Sequence, residues 1–365
     1  MKKVLIINIF GIGDVLFTTP IISNLKAHSP DISISYLCNK RSFQALENNS
    51  KIDRIFVYER DDFVATYKKS KLAYFKRILE LANNIKEERY DAVIDVSMNG
   101  FMSFLCFFAG IKQRIGFNYK NRSRFLTTKI PLKGYEDKHV VEYYLDLLKE
   151  INIPLVSNNL ELFVTEEEST WAQKFLDENG LDAQRLCIGI VPGGGDSWGK
   201  DARFKRWPAQ NYAKIADKIV EKFNARIILF GGEKEIGLCN EVAGLMQSKP
   251  IMACGKTTVG QFAALSAKCQ LVITNDGGPL HIAVAAGAKT FSIFGPVDEN
   301  VYGPYPSKGH SVFTQVIACR PCYRRFRKAS CDHVSCLALI SADEVYKTIE
   351  NILGADCKAD HIRGK

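Results

Sequence analysis

The chain has 365 residues, of which 46% are hydrophobic and 24% charged, and its net charge is +9. This length suits two globular domains, and the composition excludes a fibrous or disordered protein. A membrane helix needs roughly 20 apolar residues, and the nearest candidate, residues 101–111, reaches only about half that length. The positive charge favours phosphates, nucleic acid or an acidic membrane surface as partners, without choosing among them.

The N-terminal residues Met1-Lys2-Lys3 lead directly into a short apolar strand. That strand is far too short for the apolar region of a secretory signal peptide, so we expect a cytosolic protein. A cytosolic location argues against a framework of disulfides. Six of the eleven cysteines are therefore interpreted as small buried apolar residues: Cys38, Cys106, Cys187, Cys239, Cys254 and Cys269.

Strand and helix patterns alternate through the first half of the chain, which predicts a parallel sheet covered by helices on both faces. Pro20 is expected to break the first helical stretch after one turn. The predicted strands are residues 4–8, 32–37, 54–58 and 92–95. The predicted helices extend from the first glycine loop to residue 25 and over residues 41–47, 72–85, 98–109 and 138–149.

A polar link at residues 151–168 separates this half from a second series of the same kind. Thr165 followed by Glu168 predicts a capping box for a helix that ends near residue 179. Further strands are predicted at residues 187–191, 225–230, 270–274 and 290–294, and helices at residues 207–223, 235–246, 259–267 and 279–286. The fold class is therefore α/β, and the cleft between two such domains is the default ligand site.

The stretch from Leu271 to His281 combines a buried strand, the turn Asn275-Asp276-Gly277-Gly278 and a helix start at Pro279. Proline suits the first turn of a helix, where its missing N–H would be unpaired anyway. A strand, a glycine turn and a helix N-terminus together direct backbone N–H groups at one point, which predicts a phosphate site.

The loop Gly11-Ile12-Gly13-Asp14 resembles the first part of a dinucleotide fingerprint, but Leu16 replaces its third glycine. It is therefore weak evidence for NAD. A carboxylate at a helix N-terminus is kept ionised by the helix dipole. Asp14 is thus either a general base for an incoming hydroxyl or a helix cap.

Four positions in the second half carry similar alternatives. Gly193, after a strand, belongs to a plain turn or to a ligand loop. Lys205 precedes a helix N-terminus, where a cation does not help the helix, so it is a phosphate ligand or part of a solvated pair. Glu233 is a ribose contact or part of a charged turn. His281 is structural or contacts the ligand.

Four cysteines, Cys319, Cys322, Cys331 and Cys336, are spaced C-x2-C-x8-C-x4-C among several arginines. Four thiolates on a short segment suit zinc or an iron–sulfur cluster, although this spacing matches no standard frame. The alternatives are a redox-sensitive loop, or reduced cysteines in a basic lip that contacts an anionic acceptor.

Taken together, these motifs resemble glycosyltransferase family 9, the heptosyltransferase-type enzymes of lipopolysaccharide core assembly, from about residue 3 to residue 350. One departure is Gly277, where heptosyltransferases have serine or threonine after the aspartate. The residues that carry the resemblance are 11–14, 19–20, 95, 109–111, 114–117, 192–193, 205–208, 230–233, 275–281 and 294–296.

The resemblance implies a GT-B fold, in which two Rossmann-like βαβ domains face each other across a cleft. Residues 1–165 would then bind the acceptor and residues 166–340 the donor, and residues 341–365 would form a helix that returns to the first domain, and a tail. The implied reaction is an inverting, metal-independent transfer of a sugar, typically heptose from ADP-heptose, to a hydroxyl of a lipopolysaccharide-core or related glycan. No cofactor would be required.

The resemblance also implies roles for individual residues. Asp14 is the general base, Lys205 contacts the donor phosphate and Glu233 the ribose. Asp276, Gly277 and Gly278 form the diphosphate turn, and His281 lies near the sugar. We also assign Gly193 to donor binding, and Gly13, Arg122 and Arg124 to acceptor binding.

Three basic segments, residues 68–77, 120–129 and 320–328, suit a rim that faces an anionic membrane surface, since each basic residue there adds about 1 kcal/mol. We therefore expect peripheral attachment to the inner face of the cytoplasmic membrane, an anionic lipid-linked acceptor and no nucleic acid. The apolar residues 101–109 are expected to lie in the core. Three alternatives remain open: a nucleotide-sugar epimerase, a non-catalytic nucleotide-sugar binding protein and an NAD-dependent enzyme.

Overall fold

The computed structural model describes residues 1–181, 185–194 and 196–363, without the side chains of residues 196–197 and 356–363. Gly195 and the side chain of Cys357 therefore lie outside the described residues. The chain divides into two compact units, Met1–Phe163 and Val164–Lys365. In the described part of the chain, no helix is long and apolar enough to span a membrane.

The first unit contains one parallel sheet of six strands in the order β3-β2-β1-β4-β5-β6. The central strands β1 and β4 are almost wholly buried, as expected where helices cover both faces. In chain order the elements are β1 (Lys3–Ile7), α1 (Ile12–Leu16), α2 (Thr19–His28), β2 (Ser33–Cys38), α3 (Lys40–Phe43), β3 (Arg54–Val57), α4 (Arg60–Lys69), α5 (Lys71–Glu87), β4 (Ala92–Asp95), α6 (Gly100–Phe108), β5 (Gln113–Tyr119), β6 (Thr128–Leu132) and α7 (Val140–Lys149).

The predicted break in the first helical stretch is confirmed, because α1 and α2 are separate helices. Between them, the Thr18 hydroxyl donates to the Val15 carbonyl oxygen at 2.6 Å. Pro20 lies in the first turn of α2. Its missing N–H costs no hydrogen bond there.

Three predictions for this unit need correction. The helix predicted at residues 41–47 covers only α3, after which the chain continues in turns. Strands β5 and β6 were missed; β6 is an edge strand in which Lys129 and Pro131 hide the usual apolar pattern. Residues 101–109 are core on one face only, because three phenylalanines of α6 are exposed: Phe104, Phe107 and Phe108.

The second unit has a parallel sheet in the order β12-β11-β10-β7-β8-β9. Its elements are α8 (Glu166–Glu178), β7 (Cys187–Val191), a 3₁₀ segment (Asp196–Lys205), α9 (Ala209–Phe223), β8 (Arg226–Leu229), a 3₁₀ turn (Glu233–Glu235), α10 (Ile236–Leu245), β9 (Ile251–Met252), α11 (Val259–Ser266), β10 (Leu271–Asn275), α12 (Gly278–Ala285), β11 (Thr290–Phe294), α13 (Glu299–Tyr302), β12 (Ser311–Thr314), β13 (Tyr323–Arg324), β14 (Arg327–Lys328), α14 (Ser335–Ala338) and α15 (Ala342–Arg363). The edge strands β9 and β12 were not predicted.

The core of the second unit joins the sheet to α9 and to the C-terminal helix. Trp207 is buried, and its Nε1–H donates to the Ile340 carbonyl oxygen at 3.1 Å. The buried residues Val345, Ile349 and Leu353 place one face of α15 in the same cluster as α9. The return of this helix to the first domain stays a prediction.

The predicted capping box at the start of the second unit is confirmed. Thr165 Oγ1 accepts the Glu168 N–H at 3.1 Å, and Glu168 Oε2 accepts the Thr165 N–H at 2.8 Å. Two N–H groups that the helix itself leaves unpaired are thereby satisfied.

Replacing Thr165 with alanine should lower the free energy of unfolding of this unit by about 1 kcal/mol, since the cap is lost. Thr165→Ser keeps the hydroxyl and should retain most of that stability. Urea unfolding of the two variants beside the wild type measures the difference. An alanine variant as stable as the serine variant would show that the cap contributes nothing.

Candidate active site

Asn275 ends β10, and its buried side chain joins three segments of the second unit. Its Nδ2 donates to the carbonyl oxygens of Pro192 at 2.8 Å and Gly193 at 2.9 Å. Its Oδ1 accepts the Trp207 N–H at 3.0 Å and the Tyr212 hydroxyl at 2.8 Å. These bonds fix the loop after β7 and the start of α9 beside the end of β10.

Lys205 forms a buried ion pair with Asp276, the residue that follows Asn275. Lys205 Nζ lies 2.6 Å from Asp276 Oδ2, and the two side chains are only 9% and 5% exposed. The same ammonium lies 4.4 Å from the centroid of the Trp198 ring, a cation–π distance. Lys205 therefore belongs to a buried pair and not to a solvated one, and its contact with a donor phosphate stays a prediction. The lysine is held in place at the end of β10.

The strand, glycine turn and helix predicted around Gly277 and Gly278 are confirmed. Gly277 occupies the N-cap position of α12, Gly278 begins the helix and Pro279 lies in its first turn. The first N–H groups of a helix have no intrahelical partner, and the helix dipole makes that end favourable for an anion. His281 is buried in the same stretch of α12. The turn is thus formed as predicted, and its binding of a phosphate stays a prediction.

Glu235, which the sequence analysis did not single out, supports the loop that contains Gly193. Its Oε1 accepts the Gly194 N–H at 2.6 Å, and its Oε2 accepts the Gly232 N–H at 2.9 Å. A Cβ at Gly193 would overlap this carboxylate, so a side chain there would displace Glu235 from its hydrogen bonds. Arg206 completes the arrangement, with Nε donating to the Gly194 carbonyl oxygen at 3.1 Å and Nη2 3.3 Å from Glu235 Oε1.

Glu233, by contrast, is exposed at the start of the 3₁₀ turn that ends at the buried Glu235. The signal for Glu235 was available in the sequence, because an acid three residues after Gly232 is in the position of a capping box. The Glu233 carboxylate is therefore accessible to a ligand, whereas Glu235 holds the two glycine loops through its hydrogen bonds.

In the first unit, the segment Gly11–Asp14 follows β1 and forms the start of α1, so it is helical and not a loop from Ile12 onward. The buried Asn8 side chain supports it, since its Nδ2 donates to the Asp14 carbonyl oxygen at 2.9 Å. Gly11 occupies the N-cap position, and Asp14 lies within the first turn of the helix, partly buried. The helix dipole favours an ionised carboxylate at that place.

Asp95 ends β4, next to β1 in the sheet, and is fully buried. The Ser97 N–H and hydroxyl donate to its Oδ1 at 2.9 and 2.5 Å. Burial raises the pKa of Asp95 to about 6, although the hydrogen bonds from Ser97 oppose that rise. The carboxyl ends of β1, β4 and β5 lie side by side, so this acid, the start of α1 and the β5–β6 loop share one sheet edge.

Arg122 and Arg124, the predicted acceptor contacts, lie exposed in the β5–β6 loop. The loop passes close to the start of α6, where a Cβ at Gly100 would come within 3.2 Å of the Arg122 carbonyl oxygen. Arg124 stacks on Phe125 at 5.9 Å from the ring centroid. Both cations are thus available at the same edge as Asp14.

The prediction of zinc or an iron–sulfur cluster at Cys319, Cys322, Cys331 and Cys336 is not supported. Among the described residues, no group of three or more His, Cys, Asp or Glu side chains is arranged to hold a metal ion. All four cysteines are free, and they range from exposed to buried. Burial and the neighbouring cysteines raise the pKa of Cys336 to about 11, so this sulfur is a thiol at neutral pH.

The cysteine-rich segment instead packs against the segment that carries Lys205. The Tyr323 ring lies 5.2 Å from the Trp198 ring, which in turn faces the Lys205 ammonium. Lys328 Nζ lies 3.3 Å from Asp201 and 3.4 Å from the centroid of the Phe204 ring. The β13–β14 hairpin therefore packs against Trp198 and Phe204, and it supports Lys205 through the Trp198 ring.

Two successive units, each with a six-stranded parallel sheet and a glycine-rich loop at the strand ends, are characteristic of GT-B glycosyltransferases. Solved structures agree. The chain matches the glycosyltransferase family 9 protein of Veillonella parvula with a TM-score of 0.79 and 25% identity, over 96% of this chain and 97% of that one. It matches the Escherichia coli ADP-heptose lipopolysaccharide heptosyltransferase II with a TM-score of 0.75 and 21% identity, over 98% and 99%. The predicted GT-B fold is confirmed.

The family model described as glycosyltransferase family 9 (heptosyltransferase) matches residues 78–332. The chain is also 28% identical to lipopolysaccharide heptosyltransferase 2 of Escherichia coli K12 over 248 residues, which are 64% of this chain and 68% of that protein. This enzyme therefore belongs to glycosyltransferase family 9, as the sequence motifs predicted.

Exchanging Glu235 for glutamine should lower the free energy of unfolding by about 1–3 kcal/mol, because an amide nitrogen would then face a backbone N–H. The matched variant Glu233→Gln alters an exposed group and should change stability by less than about 0.5 kcal/mol. Urea unfolding of the two variants gives the comparison. Equal stabilities would contradict the supporting role of Glu235.

Asp95 should also leave a signature in the pH dependence of stability. Its raised pKa means that the native state holds this proton more tightly than the unfolded state between about pH 4 and pH 6. The free energy of unfolding therefore falls as the pH rises through that window. Asp95→Asn removes this titration, so the variant should gain stability relative to the wild type by about 2 kcal/mol from pH 4 to pH 6. Urea unfolding at each pH tests this, and a constant difference would contradict it.

Proposed function

We propose that this enzyme transfers heptose from ADP-heptose to a hydroxyl of a lipopolysaccharide-core saccharide. The observation that carries the proposal is the buried Lys205–Asp276 pair beside the N-terminal turn of α12. An ammonium and a helix N-terminus at one place suit the diphosphate of a nucleotide sugar. The names of the relatives supply the sugar and the acceptor class.

In this proposal the second unit binds the donor. Lys205 keeps Asp276 as one partner and offers its remaining donors to the diphosphate, since an ammonium has three. The N–H groups of Gly277 and Gly278 contact the same phosphates. This recognition by backbone replaces the hydroxyl group that heptosyltransferases have after the aspartate.

Three further residues complete the proposed donor site. Glu233 is exposed in the 3₁₀ turn that follows β8, where an acid suits the ribose hydroxyls. Gly193 lies in the loop after β7, at the carboxyl end of that strand, and is assigned a contact with the donor. His281 is assigned a contact near the sugar.

In the proposed mechanism, Asp14 is the general base. This carboxylate takes the proton from the acceptor hydroxyl, and the resulting oxygen attacks the anomeric carbon opposite the departing ADP. The bond between that carbon and the diphosphate breaks, and the configuration inverts. Negative charge collects on the diphosphate, where Lys205 and the N-terminus of α12 stabilise it. These groups supply the positive charge that the reaction needs, so the proposed mechanism is metal-independent.

The first unit is proposed to bind the acceptor. Gly13 leaves room for a hydroxyl to approach Asp14, while Arg122 and Arg124 offer exposed guanidinium groups to acceptor phosphates. A core saccharide is lipid-linked while it is built, so we place the enzyme in the cytoplasm, at the inner face of the cytoplasmic membrane.

Asp14→Asn should lower kcat by about 10²–10⁴, the usual contribution of a general base. The KM for ADP-heptose should change little, because Asp14 is assigned to the acceptor side. Release of ADP from ADP-heptose in the presence of the core acceptor measures both constants.

Asp62→Asn is the matched control, since Asp62 is also an acid in the first turn of a helix but is exposed on α4. It should retain the wild-type kcat. A folded Asp14→Asn enzyme with the rate of this control would exclude Asp14 as the base.

A further inference from the structure

An exposed aromatic cluster lies on α6 of the first unit. Phe104, Phe107 and Phe108 of α6 are 40%, 52% and 54% exposed. The opposite face of the helix is buried in the core. A folded monomer seldom exposes several large apolar side chains together without a function for them.

The β5–β6 loop extends this cluster. The ring of Phe125 lies 5.2 Å from that of Phe104 and 5.4 Å from that of Phe107. The guanidinium of Arg114 stacks on Phe107 at 5.4 Å and donates to the carbonyl oxygens of Phe125 and Ile111. Arg114 thus fastens the loop to the end of α6. We use the name Phe–Arg surface for six residues: Phe104, Phe107, Phe108, Arg114, Arg124 and Phe125.

The sequence around this surface carries charge of one sign only. Residues 96–135 contain seven lysines and arginines and neither aspartate nor glutamate. Apart from Arg114, the basic residues of this segment are exposed: Lys112, Lys120, Arg122, Arg124, Lys129 and Lys133. No acid within the segment offsets these charges, so the stretch of chain that carries the aromatic cluster has only positive charge.

The neighbouring helix α5 adds a second apolar stripe. Leu72, Phe75 and Leu79 are exposed and recur at helical spacing. Ile78 and Tyr74 of the same helix pack into the core cluster that also contains the buried face of α6. Both helices therefore present apolar side chains outward from one core.

We propose that the Phe–Arg surface docks onto an anionic lipid bilayer, with the phenylalanines entering the boundary between headgroups and acyl chains and the basic residues binding lipid phosphates. Aromatic and basic residues together are the combination that binds such an interface. A second copy of this chain is disfavoured as the occupant, because a symmetric contact would bring two sets of like charges together. The proposal rests on the proposed function only in that a lipid-linked acceptor gives docking a purpose.

Co-sedimentation of the full chain with lipid vesicles tests the proposal. The wild type should bind vesicles of phosphatidylcholine and phosphatidylglycerol at low salt, and pure phosphatidylcholine much more weakly. Phe107→Ser/Phe108→Ser should weaken binding to the anionic vesicles by about 10- to 100-fold, because two half-exposed rings lose their apolar contact. Lys112→Ala/Lys120→Ala should weaken it by about 25-fold, at about fivefold for each charge.

Val316→Ser and Leu339→Ser are the matched controls, because these side chains of the second unit are 94% and 56% exposed. They should bind as the wild type does. The proposal is overturned if the wild type ignores anionic vesicles, or if the phenylalanine variant binds like the controls. It is also overturned if that variant changes only the oligomeric state in sedimentation analysis.

Transfer to a water-soluble acceptor without its lipid separates this proposal from the proposed function. The phenylalanine and lysine variants should transfer to it at the wild-type rate, since the residues changed are outside the proposed catalytic and binding groups. Loss of that rate in a folded variant would show a role in the acceptor site itself and overturn the docking role. Vesicle binding by a wild type that shows no heptose transfer would overturn the proposed function and support the surface.

Discussion

The side chain of Asn275 is the constraint on which the second unit depends. In a parallel sheet, every strand delivers its chain to the same edge, where the loops need fixed positions to form a site. Asn275 fixes that edge with four hydrogen bonds, which join the loop after β7, the start of α9 and the end of β10. Asp276 and the glycine turn follow it directly, so the position of Lys205 is set by the same edge.

Charge is used differently in two parts of the molecule. At the glycine loop of the second unit, Lys205 has Asp276 as a partner and Arg206 has Glu235. A buried cation needs such a partner, because an unpaired charge in a poorly solvated place is costly. Residues 96–135, which carry the Phe–Arg surface, contain neither aspartate nor glutamate. The cations there are exposed to solvent, so they need no acidic partner within the protein. They remain available for an anionic partner outside it.

The sequence predicted the alternation of strands and helices, the break at Pro20 and the turn after β10, because each follows from local spacing and from proline and glycine chemistry. It missed β5, which lies inside the first sheet, and the edge strands β6, β9 and β12, whose apolar patterns are weak. Choosing between Glu233 and Glu235 required burial, which the residue types alone do not give. The sequence also could not show which face of α6 is buried and which is exposed, because the helix is apolar all round.

The measurement that tests the central claim most directly is binding of nucleotide sugars to the purified protein by thermal denaturation. ADP-heptose, UDP-sugars, GDP-sugars and NAD are compared, each in the wild type and in Lys205→Ala. The account predicts that ADP-heptose alone stabilises the wild type, by about 2.7 kcal/mol at 100 times its Kd, and that Lys205→Ala loses most of this effect. Stabilisation by NAD alone, or by no ligand, would contradict the assignment of the Gly277–Gly278 turn to a sugar diphosphate.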